Sequence, residues 1–130
     1  MSQFARASAV IALTPAADQS AKKGFLVTIA GSTATVHVTS TTTVPAKGVI
    51  LDGTTTAGKS SVAILGSGIP PVKIKAGGTI TKGDFVSQNT DGTVITDPGT
   101  GSRVRVGIAL EDGTVDELIE VATLPPVALS

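Results

Sequence analysis

Two landmarks recur at one spacing along this chain. Lys23-Gly24-Phe25-Leu26-Val27 returns as Lys82-Gly83-Asp84-Phe85-Val86, and Lys47-Gly48-Val49-Ile50-Leu51-Asp52 returns as Val106-Gly107-Ile108-Ala109-Leu110-Glu111. Gly24 to Gly83 and Gly48 to Gly107 are each 59 positions. Further on the spacing drifts: Asp52-Gly53-Thr54 matches Asp112-Gly113-Thr114 at 60, and Ile69-Pro70-Pro71-Val72 matches Leu124-Pro125-Pro126-Val127 at 55. Held landmarks with drifting connections are what a duplicated unit leaves when loops change length and strands do not. The expectation is one domain over 10–130 built from two related β-meander copies, about 10–68 and 69–130. Residues 1–9 form an unmatched N-terminal arm.

The composition agrees with strands. Apolar residues are mostly Val, Ile, Leu and Ala, Thr is abundant, and Trp and Tyr are absent; β-branched side chains fit a pleated surface better than a helix. With 41% hydrophobic and 15% charged residues, the chain lacks the signature of disorder. Ten acids balance ten bases, so no net field draws it onto nucleic acid or an anionic membrane. Cysteine is absent, which excludes disulfides and thiolate chemistry. No run approaches the roughly 18 apolar residues of a membrane span. Arg6 followed by the small and apolar residues 7–13 has the charge order of a secretory leader. The repeat absorbs that run instead, because at offset 59 Leu13 falls on Val72 and Ala17 on Ala76.

Short strands are predicted at 10–13, 24–29, 33–38, 48–51, 61–65, 72–75, 84–87, 93–96, 103–110 and 118–123. Gly, Pro, Asn and Asp clusters separate them, including Asn89-Thr90-Asp91-Gly92 and Asp97-Pro98-Gly99. Residues 112–121 could present a polar helical face, but Ile119-Glu120-Val121 alternates, so strand is preferred there. Pro70-Pro71 cannot donate to a ladder and marks the crossover between copies. The fold class is therefore all-β, a small barrel or sandwich with little or no helix. The copies could close one barrel together or one each.

Four features invite a chemical reading. Gly53-Thr54-Thr55-Thr56-Ala57-Gly58-Lys59-Ser60 fits the G-x-x-x-x-G-K-[ST] phosphate-loop pattern. That chemistry needs a helix after Ser60 to supply backbone N–H groups. Residues 61–65 read as a strand closed by Gly66-Ser67-Gly68, so a hairpin loop is expected. His37, between Val36 and Val38, faces away from both and has no ligand spacing around it. Glu111, Asp112, Asp116, Glu117 and Glu120 cluster without the spacing of a calcium loop and read as a solvated hairpin edge. Of the three aromatics, Phe25 and Phe85 are expected in the core. Phe4, beside Arg6 on the arm, is an apolar anchor next to a cation suited to docking on another protein. No catalytic, cofactor or metal-binding residue is assigned.

Gly78-Thr79-Ile80-Thr81-Lys82-Gly83-Asp84-Phe85-Val86, then Asp91-Gly92-Thr93-Val94, Gly107-Ile108-Ala109-Leu110-Glu111-Asp112 and Leu118-Ile119-Glu120-Val121, resemble the small capsid decoration (cement) proteins of tailed bacteriophages. The likeness covers about 76–123; the first copy diverges, with Phe25 where the second has Asp84. The resemblance implies a non-enzymatic virion protein without cofactors, assembled in the host cytoplasm onto the outer surface of the mature capsid. It would stabilise the shell by bridging major capsid protein subunits as a homo-oligomer, with a trimer favoured and a dimer left open. Neither nucleic acid nor membrane would be a partner. Phe4 and Arg6 are the expected capsid-binding anchors. The alternative is a β-rich phage fibre or a receptor- or glycan-binding module, against which the scarcity of aromatics counts.

Overall fold

The computed structural model describes residues 10–31, 35–66 and 69–130. Ten strands fall into two five-stranded sheets, one from each copy, and no helix occurs among the described residues. The first sheet holds β1 (Val10–Leu13), β2 (Leu26–Ala30), β3 (Thr35–Val38), β4 (Gly48–Asp52) and β5 (Ser60–Ile64) in the order β1-β5-β4-β2-β3. The second holds β6 (Val72–Lys75), β7 (Phe85–Gln88), β8 (Val94–Thr96), β9 (Arg103–Ala109) and β10 (Leu118–Leu129) in the order β6-β10-β9-β7-β8. The two orders are the same, and every named strand pairing is antiparallel.

Each sheet curls far enough for its two edges to meet. A parallel bridge joins Pro15 to Val36 in the first copy and Ala76 to Val94 in the second. The copies therefore form one small curled unit each. The turn entering β2 is the turn entering β7: the Gly24 N–H donates to the Ile50 carbonyl and the Gly83 N–H to the Ala109 carbonyl, both at 2.8 Å. Both glycines sit at positive φ, +83° and +95°, which L side chains rarely adopt.

Register corrects two of the sequence matches. Leu13 lies opposite Ser60, and Ile74 opposite Ile119. Since Ser60 to Ile119 keeps the 59-residue period, Leu13 corresponds to Ile74 rather than Val72, and Pro15 rather than Ala17 corresponds to Ala76. The connection between β1 and β2 is two residues longer than its counterpart, as 26 − 13 exceeds 85 − 74. Likewise Gly48 faces Ile64 while Gly107 faces Thr123, which makes Leu65 the counterpart of Leu124. The prolines after Leu124 are thus no counterpart of Pro70-Pro71. They lie within β10, which runs six residues past its expected end at 123. The ladder tolerates them because its register shifts between Thr123 and Val127, so neither proline has to donate.

Alternation along the strands gives each sheet an inner face. In the first copy Val27, Val36, Ile50 and Val62 are fully buried together. Their counterparts Val86, Val94, Ala109 and Val121 are equally buried in the second. The middle of the first sheet's outer face does not meet water either. Leu26, Ala46, Val49 and Leu65 join the second copy's core in one cluster. Backbone bonds cross the same boundary: the Leu26 N–H donates to the Gly92 carbonyl at 2.7 Å, and the Lys75 N–H to the Gly24 carbonyl at 2.9 Å. Gly92 is packed so closely that a Cβ there would lie 2.7 Å from Val38 and 3.1 Å from Phe25.

Candidate interaction surface

The second copy carries an outward row that the first copy hides. Leu26, Val49 and Ala63 stand side by side across β2, β4 and β5, with exposures of 0%, 0% and 1%. At the same places across β7, β9 and β10 stand Phe85, Ile108 and Ala122. Phe85 is 42% exposed, and the other two are half-buried. An apolar row kept on a solvent-facing sheet is the kind of surface that marks a contact.

Beside this row lies an ion cluster. Arg105 stacks its guanidinium on the Phe85 ring at 4.0 Å and donates to Asp97 through Nη2 at 2.6 Å and Nε at 3.1 Å. Asp97 also accepts from Arg103 Nε, from Ser87 Oγ at 3.1 Å and from the Gly99 N–H. Its side chain is only 6% exposed. Burial pushes the Asp97 carboxyl up, but the bonds from Arg105, Arg103, Gly99 and Ser87 outweigh it and hold the pKa at about 2. The carboxylate is ionised at any physiological pH and fixes Arg105 over the ring. A planar cation on an exposed aromatic, held from behind, is a preorganised contact element.

A cleft of about 570 Å³ is lined by Ile29, Pro45, Ala46, Lys47, Ile64 and Leu65 of the first copy together with Pro126 of the second. In the second copy the corresponding end is filled. Gln88, which corresponds to Ile29, is 1% exposed, and its amide is saturated by the first copy. Its Oε1 accepts from the Ala46 N–H at 2.9 Å, while Nε2 donates to the carbonyls of Thr41 and Val44 at 2.8 and 2.6 Å.

The residues singled out from sequence fall as follows. Phe4 and Arg6 lie outside the described residues. The loop 53–60 leads into strand β5, not a helix; Lys59 Nζ donates to Thr14 Oγ1 at 2.9 Å, and Ser60 Oγ, fully buried, donates to Gln19 Oε1 at 2.9 Å. Gly53 lies against the Gln19 backbone, and the Thr54 carbonyl accepts the Gln19 N–H, so the loop's backbone is occupied in packing. His37 is exposed between buried Val36 and half-buried Val38, as alternation required. The acidic group is spread over local partners: Glu111 takes Lys73 Nζ at 2.7 Å and the Glu120 N–H, Asp112 takes the Lys82 N–H, and Glu117 takes the N–H and hydroxyl of Thr114. Residues 112–117 form the turn before β10, so the strand reading of 118–121 holds.

Phe85 is not a core residue, which corrects the expectation from its near match with Phe25. Phe25 occupies the position of Asp84, one residue earlier, and is buried at 8% against the second copy, with Lys22 and Lys75 over its ring. Phe85 occupies the position of Leu26 on the outer face. Sequence reasoning also passed over Asp97, Arg103 and Arg105. Their signal was present: Arg-x-Arg in a strand puts both arginines on one face. Gln19 and Gln88 carried no local signal, because their partners lie 41 and 42 residues away.

No protein-family model matches the chain, and no curated protein matches it. Among solved structures it is similar to the N base of the head fibre protein gp8.5 of bacteriophage phi29. The TM-score is 0.65 at 16% identity, covering 89% of this chain and 92% of that one. The likeness is one of fold and extends over both copies.

Proposed function

We propose that this chain is a non-enzymatic structural protein of a phage virion that sits on the outer capsid surface, bridges major capsid protein subunits and so stabilises the mature shell. The observation that carries the reading is the fold held in common with a phage head fibre base across nearly the whole of both chains. The sequence resemblance of 76–123 to capsid decoration proteins supports it independently. A rigid, doubly cored β unit with an outward Phe85–Arg105 element suits static contact, and an oligomer, trimeric in this reading, repeats each weak contact. A protein that binds only the expanded shell stabilises that form by mass action.

A second reading has one observation in its favour: the similar structure is itself the base of a fibre. In that reading the two units anchor a projecting phage fibre or receptor-binding module, and capsid bridging is secondary. Co-sedimentation of the purified protein with expanded and unexpanded phage shells tests the first reading. Saturable binding to the expanded form alone supports decoration; equal binding to both forms favours the fibre base, and no binding to either removes the capsid role.

A further inference from the structure

The two copies are joined head to tail, and the repeat gives each half of that joint a counterpart that the joint itself leaves unfilled. Within the chain, Leu26, Val49 and Ala46 on the outer wall of the first copy share one buried cluster with Val104 and Val106 at the end of the second copy, and the Ala46 N–H donates to Gln88 there. The repeat puts a second such wall on the second copy: Phe85 and Ile108 with the loop leading to Arg105. It puts a second such end on the first copy: Ile29 with Pro45 and Lys47, counterparts of Gln88, Val104 and Val106. The wall is the exposed apolar row, and the end is the 570 Å³ cleft.

The backbone repeats the pattern. The Leu26 N–H and the Gly24 carbonyl are both satisfied by the second copy. Their counterparts, the Phe85 N–H and the Gly83 carbonyl, have no such bond among the described residues. A Cβ on Gly24 would strike Leu118 at 2.4 Å, whereas one on Gly83 would meet nothing within 4 Å. Wall and cleft are each half of an interface the molecule already makes with itself.

We propose that the Phe85–Ile108 wall of one chain docks into the Ile29–Pro45 cleft of a second copy of this chain, continuing the internal head-to-tail contact between molecules. Because the two surfaces differ, the contact is heterologous, and repetition closes a ring when the rotation permits. The clamp of Asp97 on Arg105 then has a purpose: it holds the cation flat on Phe85, so that the wall meets the cleft in one fixed arrangement.

The test uses purified full-length chain without capsid shells, so its failure leaves capsid binding standing. Sedimentation velocity is run on the wild type, on Phe85→Glu, and on two independent cleft variants, Ile29→Glu and Pro45→Glu, with circular dichroism reporting the fold. The wild type should sediment as a discrete multimer. Phe85→Glu and at least one folded cleft variant should each fall to the mass of a single chain. Mixed together they should form pairs, since one intact wall and one intact cleft remain. A Val115→Glu control, at a 60% exposed site on the turn before β10, should keep the wild-type mass. A single-chain wild type, an unchanged mass for Phe85→Glu, or a mixture that fails to pair would each overturn the proposal.

Discussion

Gln88→Leu removes the side chain that ties the two copies together while nearly conserving its volume, so the loss reads out hydrogen bonding more than packing. Three bonds go: from the Ala46 N–H at 2.9 Å, and to the carbonyls of Thr41 and Val44 at 2.8 and 2.6 Å. Ala46 is fully buried, so its N–H is left without a partner at about 1–3 kcal/mol. Val44 is 54% exposed and Thr41 half-buried, so water re-satisfies much of what those carbonyls lose, leaving about 0.5 kcal/mol each. The expected net destabilisation is about 3 kcal/mol, reduced by up to about 1 kcal/mol from the apolar surface the leucine contributes. Urea unfolding followed by far-UV circular dichroism measures it. The wild type should show one transition, because the cluster around Leu26 and Val49 makes the copies a single cooperative unit. A loss under 1 kcal/mol, or two separate transitions in the wild type, would refute the view that the copies are welded at this joint.

Asp97→Asn tests the ion cluster through its pH dependence. The folded carboxyl titrates at about 2 against an ordinary value of 3.8, so its contribution is fully present above about pH 4 and is lost as the pH falls toward 2. The shift corresponds to about 2 kcal/mol, and the gap in urea midpoint between wild type and variant should be open at pH 7 and nearly closed at pH 2. Gly83→Ala should cost about 1–2 kcal/mol from its positive φ alone, since space is open around it. Gly24→Ala should cost more by the same urea unfolding, because its Cβ would also collide with Leu118 at 2.4 Å and crowd the Lys75 amide at 3.3 Å. Deleting residues 1–9 should lower occupancy on expanded shells in a co-sedimentation titration if Phe4 and Arg6 are anchors; unchanged occupancy removes the arm from capsid binding.

The duplication was legible because strands tolerate little change of length. β2, β4 and β5 keep one offset to β7, β9 and β10, and the glycine turns before β2 and β7 carry a backbone conformation that few residues can adopt. Loops are free to vary, so a constant offset sets β1 and β6 two residues out of step, and the prolines after Leu124 mimic the crossover without occupying its place. The identical strand order of the two sheets could not be read from either copy alone. It depends on β1 and β6 each crossing to the far side of the later hairpin.

The interaction surface was less legible, and for a different reason. Periodicity says which residues share a face but not which face another layer will cover. Leu26 and Phe85 occupy equivalent places in matching strands, yet one is sealed and the other open, because the second copy covers the row on the first sheet and no described residue covers the row on the second. Buried glutamines defeat pattern reading altogether: Gln19 and Gln88 look like surface residues until distant groups saturate their amides.

The most direct measurement of the account is the heat-induced rupture of DNA-filled phage heads, bare and saturated with this protein, followed by release of a DNA-binding dye. A protein that bridges capsid subunits should raise the rupture temperature in proportion to occupancy, and Phe85→Glu heads at equal occupancy should gain less. Saturated heads that rupture at the temperature of bare ones would contradict the stabilising role outright.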